Sequence, residues 1–276
     1  MALWKQALSI AGMAGDLKAK ALLLENLGST AQLLGDPAEA TNYLVQAWDV
    51  AHQLKDPELD DRVLKKLATS ATAAKDRPRI ISAYAELLAR AEAMGDTSAQ
   101  AQDTAVLGRA LLDTGKPAEA APLLRRAVKL FSSQGKREDA SLASYFVGQA
   151  MTILEDYMGA VDAYREAALI ARETGNTARE ALARRGVGNT RYLLGDFDGA
   201  AEGLREALSL ARRSGARDIE ASTLMSLGNV QFYRKQPKEA VGFWEQSLKL
   251  ARALSDREME GESLGNLALA YTQLRD

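Results

Sequence analysis

The sequence repeats itself with a period of 40 residues, and no insertion or deletion interrupts that register. A small residue recurs at one position of every copy: Gly28, Ala68, Gly108, Gly148, Gly188, Gly228 and Ala268. A second position is glycine in five copies: Gly15, Gly95, Gly135, Gly175 and Gly215. Lys55 and Ser255 are the departures at that second position. Self-similarity at a fixed period predicts an array of one supersecondary unit, stacked so that neighbouring copies share a core.

Each copy reads as two helices. In the copy 176–215, apolar residues of the first segment fall at helical spacing. Gly195 ends that segment, because glycine accepts the left-handed backbone that closes many helices. Asp196 then caps a second helix, which ends at Gly215. Since no stretch alternates apolar and polar residues as a strand would, the sequence predicts an all-α chain of antiparallel helix pairs.

The repeat sets the domain boundaries, and we predict a single array over residues 1–276. The full units are 16–55, 56–95, 96–135, 136–175, 176–215 and 216–255. Residues 1–15 match a second helix only, and residues 256–276 match a first helix only. We therefore expect the chain to be cut from a longer array. Apolar residues remain near both ends, among them Leu3 and Leu274, so we also expect a capacity for end-to-end self-association.

Composition narrows the function classes. The net charge is −2, which argues against the basic surface that nucleic-acid binding needs. The chain has no cysteine, so a disulfide framework and a cysteine-based zinc site are both excluded. No apolar run is long enough for a membrane span, and the first residues lack the pattern of a signal peptide. We expect a cytoplasmic protein that binds neither nucleic acid nor membranes.

The sequence offers little for catalysis. His52 is the only histidine, and no serine or cysteine motif accompanies it. Gly186-Val187-Gly188 matches half of a dinucleotide-binding loop, but it lies inside a predicted helix with no strand before it. We therefore expect no enzymatic activity, no catalytic residues, no cofactor and no metal.

The repeat resembles the tetratricopeptide repeat (TPR). The resemblance rests on Val187, Gly188, Ala200, Leu204 and Ala207, whose spacing fits the large and small positions of that family, and it extends over the whole chain. The unit here is longer than the common one of about 34 residues. It is similar to the longer units of kinesin light chains, Pins-like adaptors and several bacterial regulators. The resemblance implies an α-solenoid that curves into a right-handed superhelix.

A bulky residue recurs opposite the small ones: Trp4, Leu44, Tyr84, Leu124, Tyr164, Leu204 and Trp244. A glycine inside a helix costs about 1 kcal/mol relative to alanine, so its recurrence requires a compensating contact. Close approach of the two helices of a unit at Gly188 and Ala200 would supply one. We predict that the bulky residues form the core and are not a ligand site.

The family resemblance also implies a groove, because the first helix of each TPR unit lines the concave surface. Its inward positions lie three before, one after and four after the recurring glycine, with one further residue on a neighbouring face. The predicted peptide-binding residues are Tyr145, Gln149, Arg185, Asn189, Tyr192, Met225, Asn229, Phe232 and Asn266. An asparagine offers a donor and an acceptor to a peptide backbone, and Arg185 can bind a carboxylate through two hydrogen bonds. The alternative is that each residue is only a solvated position on a helix.

These expectations combine into one functional prediction. The chain is a non-enzymatic scaffold for protein–protein interaction, and it binds a partner peptide or helix in its concave groove. Two alternatives stay open. The array is the sensor part of a larger bacterial signalling regulator, or it is a structural module that assembles with copies of itself.

Overall fold

The computed structural model describes the backbone of residues 1–275 and the side chains of residues 1–274. The described residues form helices and short turns, without a strand. The helices are α1 (Ala2–Ala14), α2 (Leu17–Leu33), α3 (Pro37–Leu54), α4 (Pro57–Ala73), α5 (Arg77–Met94), α6 (Thr97–Asp113), α7 (Pro117–Ser133), α8 (Arg137–Ile153), α9 (Tyr157–Glu173), α10 (Thr177–Leu193), α11 (Phe197–Ser214), α12 (Arg217–Tyr233), α13 (Pro237–Leu254) and α14 (Arg257–Arg275).

The helices start at regular intervals along the chain. From Leu17 to Arg257, each helix begins 20 residues after the one before it. Every turn contains a residue with positive φ: Gly15, Gly35, Lys55, Lys75, Gly95, Gly115, Gly135, Glu155, Gly175, Gly195, Gly215, Lys235 and Ser255. Lys55 and Ser255, which depart from glycine in sequence, adopt the same left-handed backbone with φ of 54° and 58°. The turn geometry therefore holds even where the preferred residue is missing.

Side chains that follow the turns fix the helix starts. The carboxylate of Asp196 accepts a hydrogen bond from the backbone N–H of Gly199 at 2.9 Å. Asp36 caps α3 through Glu39 in the same way, with Pro37 at the first helical position. Both residues satisfy an N–H group that has no partner within its helix. The starts of these two helices are thus set by local sequence, whereas α8, α12 and α13 begin without a side-chain cap.

The recurring glycine makes room for the bulky residue 16 positions later. A Cβ atom added to Gly28 would lie 2.6 Å from Leu44 Cγ, and one added to Gly188 would lie 2.6 Å from Leu204 Cγ. Both distances are far below van der Waals contact, so no side chain fits there. Leu44 and Leu204 are accordingly buried. The core function predicted for these positions is confirmed, although Tyr84 is only half-buried and Trp4 of the first helix is 41% exposed.

The helices form two compact units. The first is Met1–Lys116, with α1 to α6, and the second begins at Pro117, with α7 to α14. Within each unit, consecutive helices pack against each other. In the second unit the first helices of successive repeats also lie side by side, because α10 contacts both α8 and α12, and α12 contacts α14. This is the all-α solenoid architecture of TPR proteins, as predicted.

Candidate functional site

The predicted peptide-binding residues lie on α8, α10, α12 and α14 of the second unit. Since these helices are side by side, residues 40 positions apart become neighbours across the stack. We call the surface formed by the nine predicted residues the A face. The structure divides it into two groups with internal contacts, separated by Asn189 and Tyr192.

The first group is built around a buried tyrosine of α9. The ring of Tyr164 lies between two glycines, because a Cβ atom added to either Gly148 or Gly186 would come within 2.6 Å of it. The centroid of the Tyr145 ring is 5.4 Å from that of Tyr164. Gln149 Nε2 donates a hydrogen bond to Tyr145 Oη at 3.2 Å. Tyr145 is therefore held in place and is only 7% exposed.

Arg185 of α10 completes this group. Burial raises the pKa of Tyr164 to about 12, while a hydrogen bond with Thr152 and the charge of Arg185 act in the opposite direction. Arg185 has no ion-pair partner among the described residues, and its Nε is buried without a hydrogen-bond acceptor. An unsatisfied buried donor costs about 1–3 kcal/mol. A ligand that brought an acceptor to this guanidinium would remove that cost.

Asn189 and Tyr192 continue the A face along α10. Asn189 is half-buried, and its side chain has no hydrogen bond to any described residue. The ring of Tyr192 packs edge-on against Tyr233 at 5.2 Å and against Phe197 at 5.8 Å. Burial raises the pKa of Tyr192, and its contact with Tyr233 adds to that shift. This stretch therefore combines a free amide with an aromatic wall.

The second group surrounds Trp244 of α13, which is 1% exposed. Trp244 Nε1 donates a hydrogen bond to Asn229 Oδ1 at 3.1 Å. Asn266 Nδ2 donates to the same oxygen at 3.4 Å and also to Met225 Sδ at 3.3 Å. The ring of Phe232 lies 5.7 Å from that of Trp244. The amide oxygen of Asn229 is thus committed to the fold, which leaves its Nδ2 for a ligand.

The structure gives the predicted residues unequal access to a ligand. Tyr145 and Met225 are 7% and 8% exposed, so they offer little surface. Gln149, Arg185, Asn189, Tyr192, Asn229, Phe232 and Asn266 are partly exposed. The sequence reasoning did not anticipate that Tyr164 and Trp244 hold the A-face side chains from below. The second glycine, Gly186, was the available signal for Tyr164. The assignment of the nine residues to peptide binding stays a prediction.

The first unit has its own cavity of about 430 Å³ between α2 and α4. It is lined by Gly28, Ser29, Gln32, Leu33, Leu44, Lys65, Lys66, Thr69 and Ser70. Beside it, the buried carboxylate of Glu25 pairs with Arg62 Nη2 and Lys66 Nζ, each at 2.8 Å. Burial acts to raise the pKa of Glu25, but these two cations outweigh it and lower the pKa. The ion pairs bind α2 to α4 and hold the cavity walls together.

Asp103 of α6 gives a pH-dependent prediction. Burial raises its pKa to about 6, the charge of Asp96 adds to the rise, and Lys65 opposes it. An unfolded aspartate titrates near 3.9, so the folded state binds the proton more tightly, and stability falls as pH rises through about 6.

We expect Asp103→Asn to raise the free energy of unfolding at neutral pH by about 1 kcal/mol. The difference should vanish below about pH 4. Urea unfolding of the parent and the Asp103→Asn variant between about pH 4 and pH 7 measures this difference. A difference that does not change with pH would contradict the raised pKa of Asp103.

No group of three or more histidine, aspartate or glutamate side chains among the described residues is placed to hold a metal ion. No helix in the described part of the chain is long and apolar enough to cross a membrane.

No protein-family model matches the chain, and no curated protein matches it in sequence. Several solved structures are similar. BtubC (BKLC) from P. vanneervenii has a TM-score of 0.62 at 19% identity, covering 85% of this chain and 93% of that chain. The apo form of RapI has a TM-score of 0.68 at 12% identity, with coverages of 99% and 86%. The APC/C hetero-tetramer Cut9–Hcn1 gives 0.57 at 18% identity, covering 91% of this chain and 42% of that chain.

These similarities concern the fold. BtubC and Cut9 are TPR proteins, and the present chain has the same arrangement of helix pairs. The resemblance to the TPR that the repeat spacing indicated is therefore confirmed at the level of architecture.

Proposed function

We propose that this chain of TPR-type fold is a non-enzymatic protein-interaction scaffold, and that the A face of its second unit binds an extended segment of a partner protein. The proposal rests mainly on Arg185. Its buried Nε lacks a hydrogen-bond acceptor, and its charge has no ion-pair partner among the described residues. A carboxylate of the partner would meet both needs at once, because arginine binds carboxylates through charge-assisted hydrogen bonds.

The neighbouring side chains suit the rest of such a segment. Asn189 has an unused amide that can donate to a backbone carbonyl and accept from a backbone N–H. Tyr192 and Phe232 present aromatic rings that are fixed by packing on Tyr233 and Trp244. Rings that are already ordered bind with less loss of conformational entropy. The proposed ligand is therefore an extended chain with one acidic and at least one apolar side chain.

The similar structures support a protein partner. The solved structure that contains Cut9 is a hetero-tetramer with Hcn1, so this architecture does occur in a protein assembly. Fold alone does not identify a partner, so the proposal depends on the chemistry of the A face.

An array of extended 10-residue peptides tests the proposal, with Asp or Glu placed at each position among apolar and neutral residues. We expect saturable binding of acidic members, and a loss of about tenfold or more for Arg185→Ala, because a hydrogen bond to a charged group contributes about 1.5–3 kcal/mol. Arg185→Lys should restore only part of the affinity, since lysine lacks the planar fork.

The matched control is Arg205→Ala on α11, an exposed arginine that lies outside the A face. The Arg205→Ala variant should bind the acidic peptides with the same affinity as the parent protein. If Arg185→Ala binds the same peptides as tightly as the parent, or if no acidic member of the array binds, the A face is not the site.

A further inference from the structure

A second groove lies in the second unit, between α9 and α11, and α10 forms its floor. It consists of two adjoining cavities of about 370 and 630 Å³ that share Arg172, Arg184 and Glu206. The lining runs over residues 165–172 of α9, with Gly175 in the turn after it, and over residues 202–213 of α11. At a rise of about 1.5 Å per residue, that is about 12 Å along α9 and about 16 Å along α11. None of the lining residues belongs to the A face.

Comparison with the other repeats shows why the groove is open here. The position of Gly203 carries an aromatic ring in two sister copies, Tyr43 and Phe243, both partly buried against the core. A Cβ atom added to Gly203 would meet only Gly188 Cα, at 4.0 Å. Gly203 therefore leaves an empty space where the repeats with Tyr43 and Phe243 place an aromatic ring, and where Ala83 and Ala163 leave only a methyl group.

Two arginines occupy positions that other repeats use for the core. Arg184 stands where three copies have the buried leucines Leu24, Leu64 and Leu224, and Arg191 stands where others have the buried residues Ala31, Ala71 and Met151. Burying a leucine contributes about 1.5–3 kcal/mol, which this repeat gives up at position 184. Thr104 and Ser144 replace the leucine in two other repeats and are small and buried, so a charged side chain at this position is particular to the repeat that carries the groove.

The ion pairs of this repeat are also rearranged. At the next two boundaries between repeats, Arg212 pairs with Glu220 and Arg252 pairs with Glu260, each at 2.8 Å. The equivalent carboxylate here, Glu180, is instead bound by Arg184 at 2.9 Å, and Arg184 also reaches Glu206 at 2.6 Å. Arg172, the counterpart of Arg212, is left without an ion-pair partner among the described residues and lines both cavities.

We infer that this groove is a second binding site, and that its ligand is a protein segment with acidic side chains beside an apolar one. The lining has five arginines, Arg165, Arg172, Arg184, Arg191 and Arg213, against three glutamates, Glu180, Glu202 and Glu206. The excess of positive charge selects an acidic partner.

The remaining lining selects a protein over a nucleic acid. Leu169 is 56% exposed at the groove and Val187 forms part of its floor, so an apolar side chain of the ligand has a place to pack. The three glutamates would repel a nucleic acid, because its phosphates follow one another without a gap. A peptide has fewer charges and can place its carboxylates only opposite Arg172 and Arg165, away from the glutamates. The site is separate from the A face, so the two proposals stand or fall independently.

Labelled 12-residue peptides with leucines at helical spacing and glutamates on both sides are the probe. We expect them to bind saturably, and we expect the same peptides with lysine in place of glutamate to fail. The variant Arg184→Leu/Gly203→Phe, which introduces the residues of the next repeat, should lower the affinity about tenfold or more. Its thermal unfolding should match that of the parent, because Arg172 can then pair with Glu180 as Arg212 pairs with Glu220.

Arg172→Ala is a second variant that removes only an exposed side chain, and it should also weaken binding. Arg205→Ala, on α11 but outside both cavities, is the matched control and should bind like the parent. Equal affinity of the parent and Arg172→Ala, no binding of any glutamate peptide, or tighter binding of a 12-nucleotide single strand would each overturn the assignment.

Discussion

Trp244→Ala is expected to lower the free energy of unfolding of the second unit by about 3–5 kcal/mol, the usual cost of removing a large buried aromatic side chain. Trp244 is 1% exposed and packs against Phe232 at 5.7 Å. Its loss would leave a cavity next to Gly228, which has no side chain to fill it. It would also leave Asn229 Oδ1 without the indole donor. Denaturant unfolding with hydrogen exchange on α12 to α14 measures the effect.

The chain contains its own control for this experiment. Trp4 occupies the same position of the repeat in α1, but it is 41% exposed. Trp4→Ala should therefore lower the free energy of unfolding by about 1 kcal/mol or less, well below the effect of Trp244→Ala. If the two substitutions destabilise equally, burial against the recurring glycine is not what makes this position important.

Gly186→Leu is expected to lower the free energy of unfolding by about 3 kcal/mol, the upper part of the range for overpacked cores. The reason is that the Tyr164 ring cannot move aside. It is confined by Gly148 on α8 as well as by Gly186 on α10, and an added Cβ on either would lie 2.6 Å from it. Chemical denaturation of the single variant gives the cost.

A double-mutant cycle shows whether this contact is the cause. Tyr164→Leu reproduces the residue found at Leu204, where the equivalent of Gly186 is Ser226. The variant Gly186→Leu/Tyr164→Leu should recover most of the stability lost in Gly186→Leu. Gly242→Leu is the control, since Gly242 also lies within a helix but a Cβ there would meet nothing within 4 Å. A destabilisation of Gly242→Leu as large as that of Gly186→Leu would refute the packing explanation.

The fold was accessible from sequence because its information is local and repeated. A glycine at one position and a bulky residue 16 positions later define the contact between the two helices of a unit, as Gly188 and Leu204 show. The left-handed turns were also accessible, since most of them contain glycine. Lys55, which lacks the glycine, adopts the same left-handed backbone, so its turn could not be read from residue type alone.

The partners of individual side chains were not accessible in this way. Asn189 and Asn229 hold the same position of neighbouring repeats, yet only Asn229 is bound by an indole, because Trp244 replaces the leucine at position 204. Helical spacing assigns a residue to a face, but the partner depends on side chains of other repeats. The same limit applies to Arg172, whose pairing is decided by Arg184.

The regular 20-residue spacing of the helix starts determines how the gene for such a chain can gain or lose repeats. Recombination between two copies of the repeat removes or duplicates 40 residues, and it rejoins a helix to a turn of identical geometry. Contacts reach only neighbouring units, so the new junction has to satisfy one interface. A copy as specialised as 176–215, with its arginines and open groove, can therefore be inherited as a cassette, whereas the gain or loss of a single residue would displace every turn that follows.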